Sequence, residues 1–358
     1  MESSLTIYFF SGTGNARNVA RWISEVAHER SIPATTIDIA RIDRKHIIPP
    51  PPDSLIGFIS PTHGFNYPPA MMYFIFRFPM ARGNRAIIMN TRAGLKLSKW
   101  FIPGLSGLAL WLAALVLLVK GYRIAGMRSI DLPSNWISIH PGVKEKVVAS
   151  IYGRCRQISR AFAEKILDGK HEYRAFRDII QDLIIAPVTI GYFFVGRFIF
   201  AKSFYATDAC DKCDLCINNC PVKAILKVDK RPFWSYRCES CMRCMNDCPR
   251  RAIETAHGFI IGIMFLINMG IIRWFWQLVG NRFIMNVDNG WMRIGVNITG
   301  WLLTFFSLIV LYRLFHYLLR FRWIRPLFYV TSLTRFKFWC RYRPKNQFAL
   351  GPERGKEK

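Results

Sequence analysis

Acidic side chains are scarce in this sequence: 23 Asp and Glu stand against 50 Lys and Arg, leaving a net charge of +27. Such an excess has to be neutralised by a partner, whether nucleic acid, anionic lipid or an acidic protein. Aromatics interleave the arginines near the carboxyl end (FRWIRPLFYV, RFKFWCRYR), yet no DNA-reading motif accompanies them, so nucleic acid is not expected as a partner. The dinucleotide pattern G-x-G-x-x-G and the Walker pattern G-x-x-x-x-G-K-S/T are both missing, so neither a pyrophosphate nor a triphosphate is the expected ligand. No nucleophile, base and orienting group can be named together, and Asp38, Asp43 and Asp53 read as turn or surface carboxylates. Cysteine is nearly confined to one stretch. Of the ten, only Cys155 and Cys340 fall outside 210–248, and both read as buried or incidental thiols. No cleavable signal pattern precedes the others, so a reducing cytosol and metal ligation are expected rather than disulfides.

What is present begins with length, since 358 residues are enough to bury at least two separate cores. LTIYFF at 5–10 is a short apolar run that gives way to SGTGNARNVARWISEVAHER, predicting strand, loop and helix. Gly12 and Gly14 let the loop close tightly, Ser11, Thr13 and Asn15 offer donors, and the helix beginning near Ala16 aims its free N–H groups at the same point. That is a cradle for a single phosphate. TTIDIA (35–40), SLIGFIS (54–60), RAIIMN (85–90) and AGMRSIDL (125–132) repeat the strand pattern. The plan is a doubly wound, five-stranded parallel sheet, in which ligands sit beyond the carboxyl ends of the strands. Those ends carry SGTGNA, PTHGFNYPP and NTRAGL, each rich in turn formers.

These residues resemble the flavodoxin family, over a module spanning 1–168. The resemblance implies FMN, with phosphate contacts from Ser11, Gly12, Thr13, Gly14, Asn15 and Ala16. It implies ring contacts from two further loops: Pro61, Thr62, His63, Gly64, Phe65 and Asn66, then Asn90, Thr91, Arg92, Ala93 and Gly94. The family's phosphate loop commonly ends in Thr where this chain has Ala16, which removes one hydroxyl donor. Phe65 and Tyr67 are candidates for stacking on the ring, or else packing plugs.

WFIPGLSGLALWLAALVLLV, residues 100–119, is long and apolar enough to suggest a membrane span. It lies between the fourth and fifth strands, however, where a crossover helix must return to the same side of the sheet. Lys96 and Lys99 before it and Lys120, Arg123 and Arg128 after it make either orientation export basic charge. A helix over 104–121 within the first module is therefore expected, its outer face on lipid or on other apolar helices.

CDKCDLCINNCP from Cys210 and CESCMRCMNDCP from Cys238 are two copies of C-x2-C-x2-C-x3-C-P. In this spacing three thiolates serve one 4Fe-4S cluster and the fourth reaches the other. Cys210, Cys213, Cys216 and Cys248 should hold one cluster, and Cys238, Cys241, Cys244 and Cys220 the second. Residues 204–256 resemble the bacterial two-cluster ferredoxins. A C-terminal transmembrane hairpin is expected over 257–318, from GFIIGIMFLINMGII (258–272, continuing to 280) and IGVNITGWLLTFFSLIVLY (294–312), and a basic cytoplasmic tail over 319–358. Residues 169–203 read as amphipathic helices at the membrane interface. The order resembles fused flavodoxin–ferredoxin proteins, with the hairpin and tail as additions. The resulting expectation is an electron-transfer protein at the cytoplasmic face of the inner membrane, its charge toward anionic lipids, relaying electrons between FMN and two 4Fe-4S clusters. Its redox donor and acceptor, whether proteins or quinone, are unknown. Two readings stand beside it. One is an oxidoreductase acting on a lipid-soluble quinone in a pocket lined by Asn268, Asn297 and Thr299; the other is a flavin-free redox sensor or scaffold.

Overall fold

The computed structural model describes residues 3–44, 46–266, 290–321 and 323–339, with residue 277 alone between the second and third stretches. Six strands belong to the main sheet: β1 (Leu5–Phe9), β2 (Ala34–Asp38), β3 (Leu55–Pro61), β4 (Arg85–Leu97), β5 (Trp100–Ile102) and β6 (Arg123–Pro133). Five pair in parallel in the order β2-β1-β3-β4-β6, and β5 folds back antiparallel onto β4. This is the flavodoxin-like order of the doubly wound sheet. Both faces are covered, and β1 alternates between them. Leu5, Ile7 and Phe9 enter the core beneath α1 (Asn15–Glu29), while Tyr8 and Phe10 enter the other core, beneath α2 (Pro69–Arg77) and α3 (Ala109–Val119). The first core is completed by α4 (Glu145–Leu167).

The apolar segment 100–119 thus lies in the fold and contributes its crossover helix. The helix starts at Ala109 rather than 104 because Trp100–Ile102 pairs with β4 and the Gly104 amide is held by Asp131 Oδ1 at 2.8 Å. Leu110, Ala113 and Leu117 are fully buried in the sheet core.

Beyond α4, a 3-10 turn at Arg174–Asp178 leads into α5 (Ile179–Gly191), a π-helical turn at Tyr192–Gly196 and one more helical turn at Arg197–Ala201. A small α+β unit follows. β7 (Phe204–Ala206), β8 (Ile225–Val228), β9 (Arg231–Trp234) and β10 (Ile253–Thr255) form two antiparallel pairs, β7 with β10 and β8 with β9. Phe204, Trp234, Met242, Met245 and Ile253 fill its core, joined by Ile137 from the loop after β6.

Two long helices follow, α6 (His257–Leu266) and α7 (Gly290–Leu318), and then a short helix, α8 (Arg325–Val330), and two 3-10 turns at Leu333–Arg335 and Lys337–Trp339. The expected pair of spans is not found here: among the described residues no helix is long and apolar enough to cross a membrane. Residues 267–280 of the expected first span lie, apart from 277, outside the described residues. The second does form a helix, but α7 has two different sides. Near its end Tyr312 and Phe315 are buried with Phe259 and Phe233 while Val310 and Leu314 on the opposite side are exposed, and earlier along the helix Ile294, Ile298, Leu302 and Phe306 are exposed as well. Of the expected basic tail, residues 323–339 pack on the small unit, Trp339 donating to Ile137 O at 2.5 Å, while Cys340 and residues 341–358 lie outside the described residues.

Candidate functional site

The loop from Ser11 to Ala16 sits at the carboxyl end of β1, with Gly14 in the left-handed region at φ 110. Ser11 Oγ accepts the Gly14 amide at 3.0 Å, closing the loop and leaving its own hydroxyl hydrogen free to donate. Helix α1 has no side-chain cap, so its first N–H groups remain directed at the cradle. One expected donor serves otherwise. Asn15 gives its amide to Pro133 O at 2.9 Å and accepts the Tyr152 hydroxyl, so it pins the loop to β6 and α4. Ala16 is 1% exposed and points into the core, so only its backbone N–H can meet an anion.

The second loop holds its expected place after β3, with His63 and Asn66 bridged backbone to backbone. Tyr67 is a packing plug: it is 1% exposed and its hydroxyl donates to Met89 O at 2.7 Å. Asn90 to Gly94 require a correction, because they form a continuation of β4 and not a loop. Each pairs with β6, from Asn90 with Ser129 to Gly94 with Pro133. The cause is a buried ion cluster. Arg92, its side chain 5% exposed, reaches Asp131 and Asp178, each at 2.6 Å, and donates to Ser106 at 3.1 Å. Burial would pull the guanidinium down, but the two carboxylates outweigh it and raise its pKa.

The small unit docks directly on these loops. Arg243, inside the second cysteine motif, donates to Ser11 O at 2.5 Å and Gly12 O at 3.0 Å, and its side chain is 11% exposed. A Cβ on Gly12 would stand 2.2 Å from Cys241 O, so only glycine permits this approach. Glu239 Oε1 accepts the Ala70 amide at 2.9 Å, and burial pushes its carboxyl up to about 7. Burial holds His63 down at about 4. The Tyr192 ring covers Gly64, and Trp136 lies edge-on to it at 5.7 Å. Asn135 Nδ2 donates to Thr13 Oγ1.

Around this junction several buried polar atoms have no hydrogen-bond partner: His63 Nδ1, Asn135 Oδ1, Trp136 Nε1, Tyr192 OH, Glu239 Oε2 and Ser240 Oγ. Such groups are costly to bury and rarely left unpaired, so their gathering fits a polar, planar ligand better than a closed protein interface. Asn135, Trp136, Tyr192, Glu239 and Arg243 were not anticipated from the sequence. The turn-forming PSNW after the last strand was a usable signal, because that loop also lies at a carboxyl strand end.

The eight cysteines line two cavities. One is lined by Cys210, Cys213, Cys216 and Cys248; the other by Cys220, Cys238, Cys241 and Cys244. Each brings together three thiols of one motif and the last of the other. The two motifs also share an uncommon backbone. Lys212, Asp214 and Lys223 have positive φ, and so do Ser240, Met242 and Arg251 at the equivalent positions. Left-handed residues other than glycine cost about 1–2 kcal/mol each and persist where the surroundings demand them. Here the tight loops turn amides toward sulfur: Ala224 N–H reaches Cys220 Sγ at 3.2 Å and Ala252 N–H reaches Cys248 Sγ at 3.3 Å. Among the described residues no group of three or more His, Cys, Asp or Glu is set for a single metal ion. Beside the second cavity, Lys202 is 1% exposed, donates to Trp234 O at 2.5 Å and lies 4.0 Å from the Tyr236 ring. Burial pulls its ammonium down to about 8.

Of the remaining expected residues, Asn268 lies outside those described, and the exposed Thr299 hydroxyl donates to Gly295 O at 2.9 Å. Cys155 is buried and donates to Asp131 O at 3.2 Å, its thiol pushed up to about 12 by burial.

No family model and no curated protein matches the chain. Among solved structures, an oxidised flavodoxin from Bacillus cereus is 17% identical over 44% of this chain and 95% of its own, with a TM-score of 0.29. A flavodoxin from the Archaea is 14% identical over 45% and 98%, with a TM-score of 0.29. The rubredoxin oxygen:oxidoreductase of Desulfovibrio gigas is 12% identical with a TM-score of 0.26; the match covers 44% of this chain and 36% of that one. Scores at this level carry no argument, and the flavodoxin-like character stands on the strand order.

Proposed function

We propose that this chain is an electron-transfer protein in which FMN on the doubly wound sheet and two 4Fe-4S clusters in the cysteine cavities form one relay. FMN exchanges one or two electrons and each cluster one, so the set can join a two-electron donor to a one-electron acceptor. The observation that carries the reading is the contact between the sites: the phosphate loop and the second cysteine motif meet at Gly12, Cys241 and Arg243. In this reading Ser11 and Thr13 hydroxyls and the first amides of α1 hold the phosphate. Residues 61–66 with Trp136, Asn135 and Tyr192 border the ring, and the strand residues Asn90–Gly94 lie beside them, the Thr91 carbonyl accepting the Thr62 amide at 2.9 Å. The left-handed loops of the cysteine motifs aim N–H groups at the clusters. Cys213 is exposed while Cys241 lies against the sheet, which orders the relay from flavin through the buried cluster to the solvent-facing one.

The reading places the protein at the cytoplasmic face of the inner membrane, with the outer stripe of α7 and the basic tail toward anionic lipid. Anaerobic purification with measurement of flavin, iron and acid-labile sulfide tests the relay. About one FMN and eight irons per chain are expected from two cubane clusters. Iron without flavin would transfer the chain to the flavin-free reading, which the Tyr192 ring over Gly64 favours. Neither cofactor would end both.

A further inference from the structure

We infer that the α2–α3–α5 side of the sheet is a lipid-docking face that seats the flavodoxin-like module itself on an anionic bilayer. The first observation is an inversion in α5. Its two buried side chains are polar, Asp182 and Thr189, whereas Ile180, Leu183 and Ile184 are 72, 64 and 74% exposed. A helix facing water hides its apolar side; one that buries its polar residues and presents isoleucine and leucine outward suits a hydrocarbon surface. The pattern extends to the neighbours. Leu115 and Leu118 of α3 and Phe76 of α2 are more than half exposed, and Arg77 and the buried Asp182 are the only charged residues in the three helices.

These exposed residues belong to one surface. Helices α2 and α3 pack side by side in the same core. Trp111 of α3 donates to Asp182 Oδ2 at 2.9 Å and meets the Phe176 ring at 5.0 Å, which fixes α5 and its preceding turn against α3. An uncharged face of this extent is larger than the scattered apolar residues of an ordinary surface. The second observation is charge. Arg77, Arg82 and Arg177, at the ends of these helices and in the loops beside them, are exposed and would lie at headgroup level. Leucine and isoleucine in the middle with arginine at the rim is the complement of an anionic lipid surface.

The proposal extends the membrane reading above and can fail separately from it. The full-length protein, with fluorescent labels on cysteines introduced one at a time at Leu118, Ile184, Glu164 and Phe306, is mixed with phosphatidylcholine vesicles with and without phosphatidylglycerol. Quenching by spin-labelled lipid at Leu118 and Ile184, but not at Glu164 on α4, is expected. Arg77→Gln with Arg177→Gln should weaken vesicle binding about 30-fold, at about 1 kcal/mol for each arginine. Quenching at Phe306 alone would overturn the docking face and leave the α7 anchor standing, and the reverse pattern would do the opposite. Protection of Leu118 and Ile184 from both lipid-borne and aqueous quenchers would mean that protein covers the face, which also overturns the proposal.

Discussion

Arg243→Gln should weaken FMN binding without removing iron. The guanidinium holds two carbonyl groups, Ser11 O at 2.5 Å and Gly12 O at 3.0 Å, and thereby sets the peptide planes whose amides face the cradle. It also brings a positive charge to the loop proposed to hold the phosphate, beside Arg17, whose pKa burial and Arg243 together lower. A hydrogen bond to a charged group contributes about 1.5–3 kcal/mol. The loop can relax when both are deleted, so the equivalent of about one such bond should appear in affinity, weakening Kd about 10- to 150-fold. The assay is quenching of FMN fluorescence on adding protein that carries its iron but has been stripped of flavin. Arg243→Lys should fall between the two, and Arg250→Gln, whose side chain pairs with Asp211 at 3.1 Å beside the other motif, should match the parent. Protein produced without iron should show a similar loss, because nothing then holds the second motif in register with the loop. A Kd within twofold of the parent for Arg243→Gln would refute the idea that the cysteine unit shapes the phosphate site.

The cysteine pairing predicts that Cys248→Ser removes the same paramagnetic signal as Cys213→Ser, and Cys220→Ser the same one as Cys241→Ser; electron paramagnetic resonance of the reduced variants checks this, and the reverse pairing would break the assignment of the cavities. Lys202→Met removes a buried cation whose charge interacts with Cys238, so the potential of the cluster in that cavity should fall while the other holds, read by a redox titration monitored in the same way. Arg92→Leu strands Asp131 and Asp178, and a loss of about 3–5 kcal/mol in unfolding free energy is expected by denaturant titration.

The grouping of the cysteines was legible because it follows from their local spacing, and the strands because β1, β3 and β4 are buried on both faces and therefore read as continuous apolar runs. Asn90–Gly94 were not. Their turn-forming composition describes a loop, and what keeps them extended is Arg92 bound to carboxylates 39 and 86 positions away, a relation that no window of sequence displays. The junction was invisible for a related reason. Arg243 reads as one more basic residue inside a metal motif until the motif is placed against Ser11, 232 positions earlier.

Helix α5 shows how an apolar segment can be read when its neighbours are known. IIQDLIIAPVTIG has one acid and one threonine seven positions apart, which puts both on one side of a helix, and that side faces protein. Asp182 accepts the Gly107 amide at 2.8 Å and the Trp111 indole at 2.9 Å, and burial raises its pKa, which those two donors oppose. If this carboxylate is what seats α5, Asp182→Leu should make the helix more apolar yet detach it, since it leaves a backbone and an indole N–H without acceptors at about 1–3 kcal/mol each. Hydrogen exchange across 174–191 should then speed up about tenfold or more, with exchange in β1 and β3 unchanged, while Asp182→Asn should retain one acceptor and most of the protection. Unchanged exchange in Asp182→Leu would mean that apolar contacts alone hold α5, and the polar pair would lose its meaning as the mark of the protein-facing side.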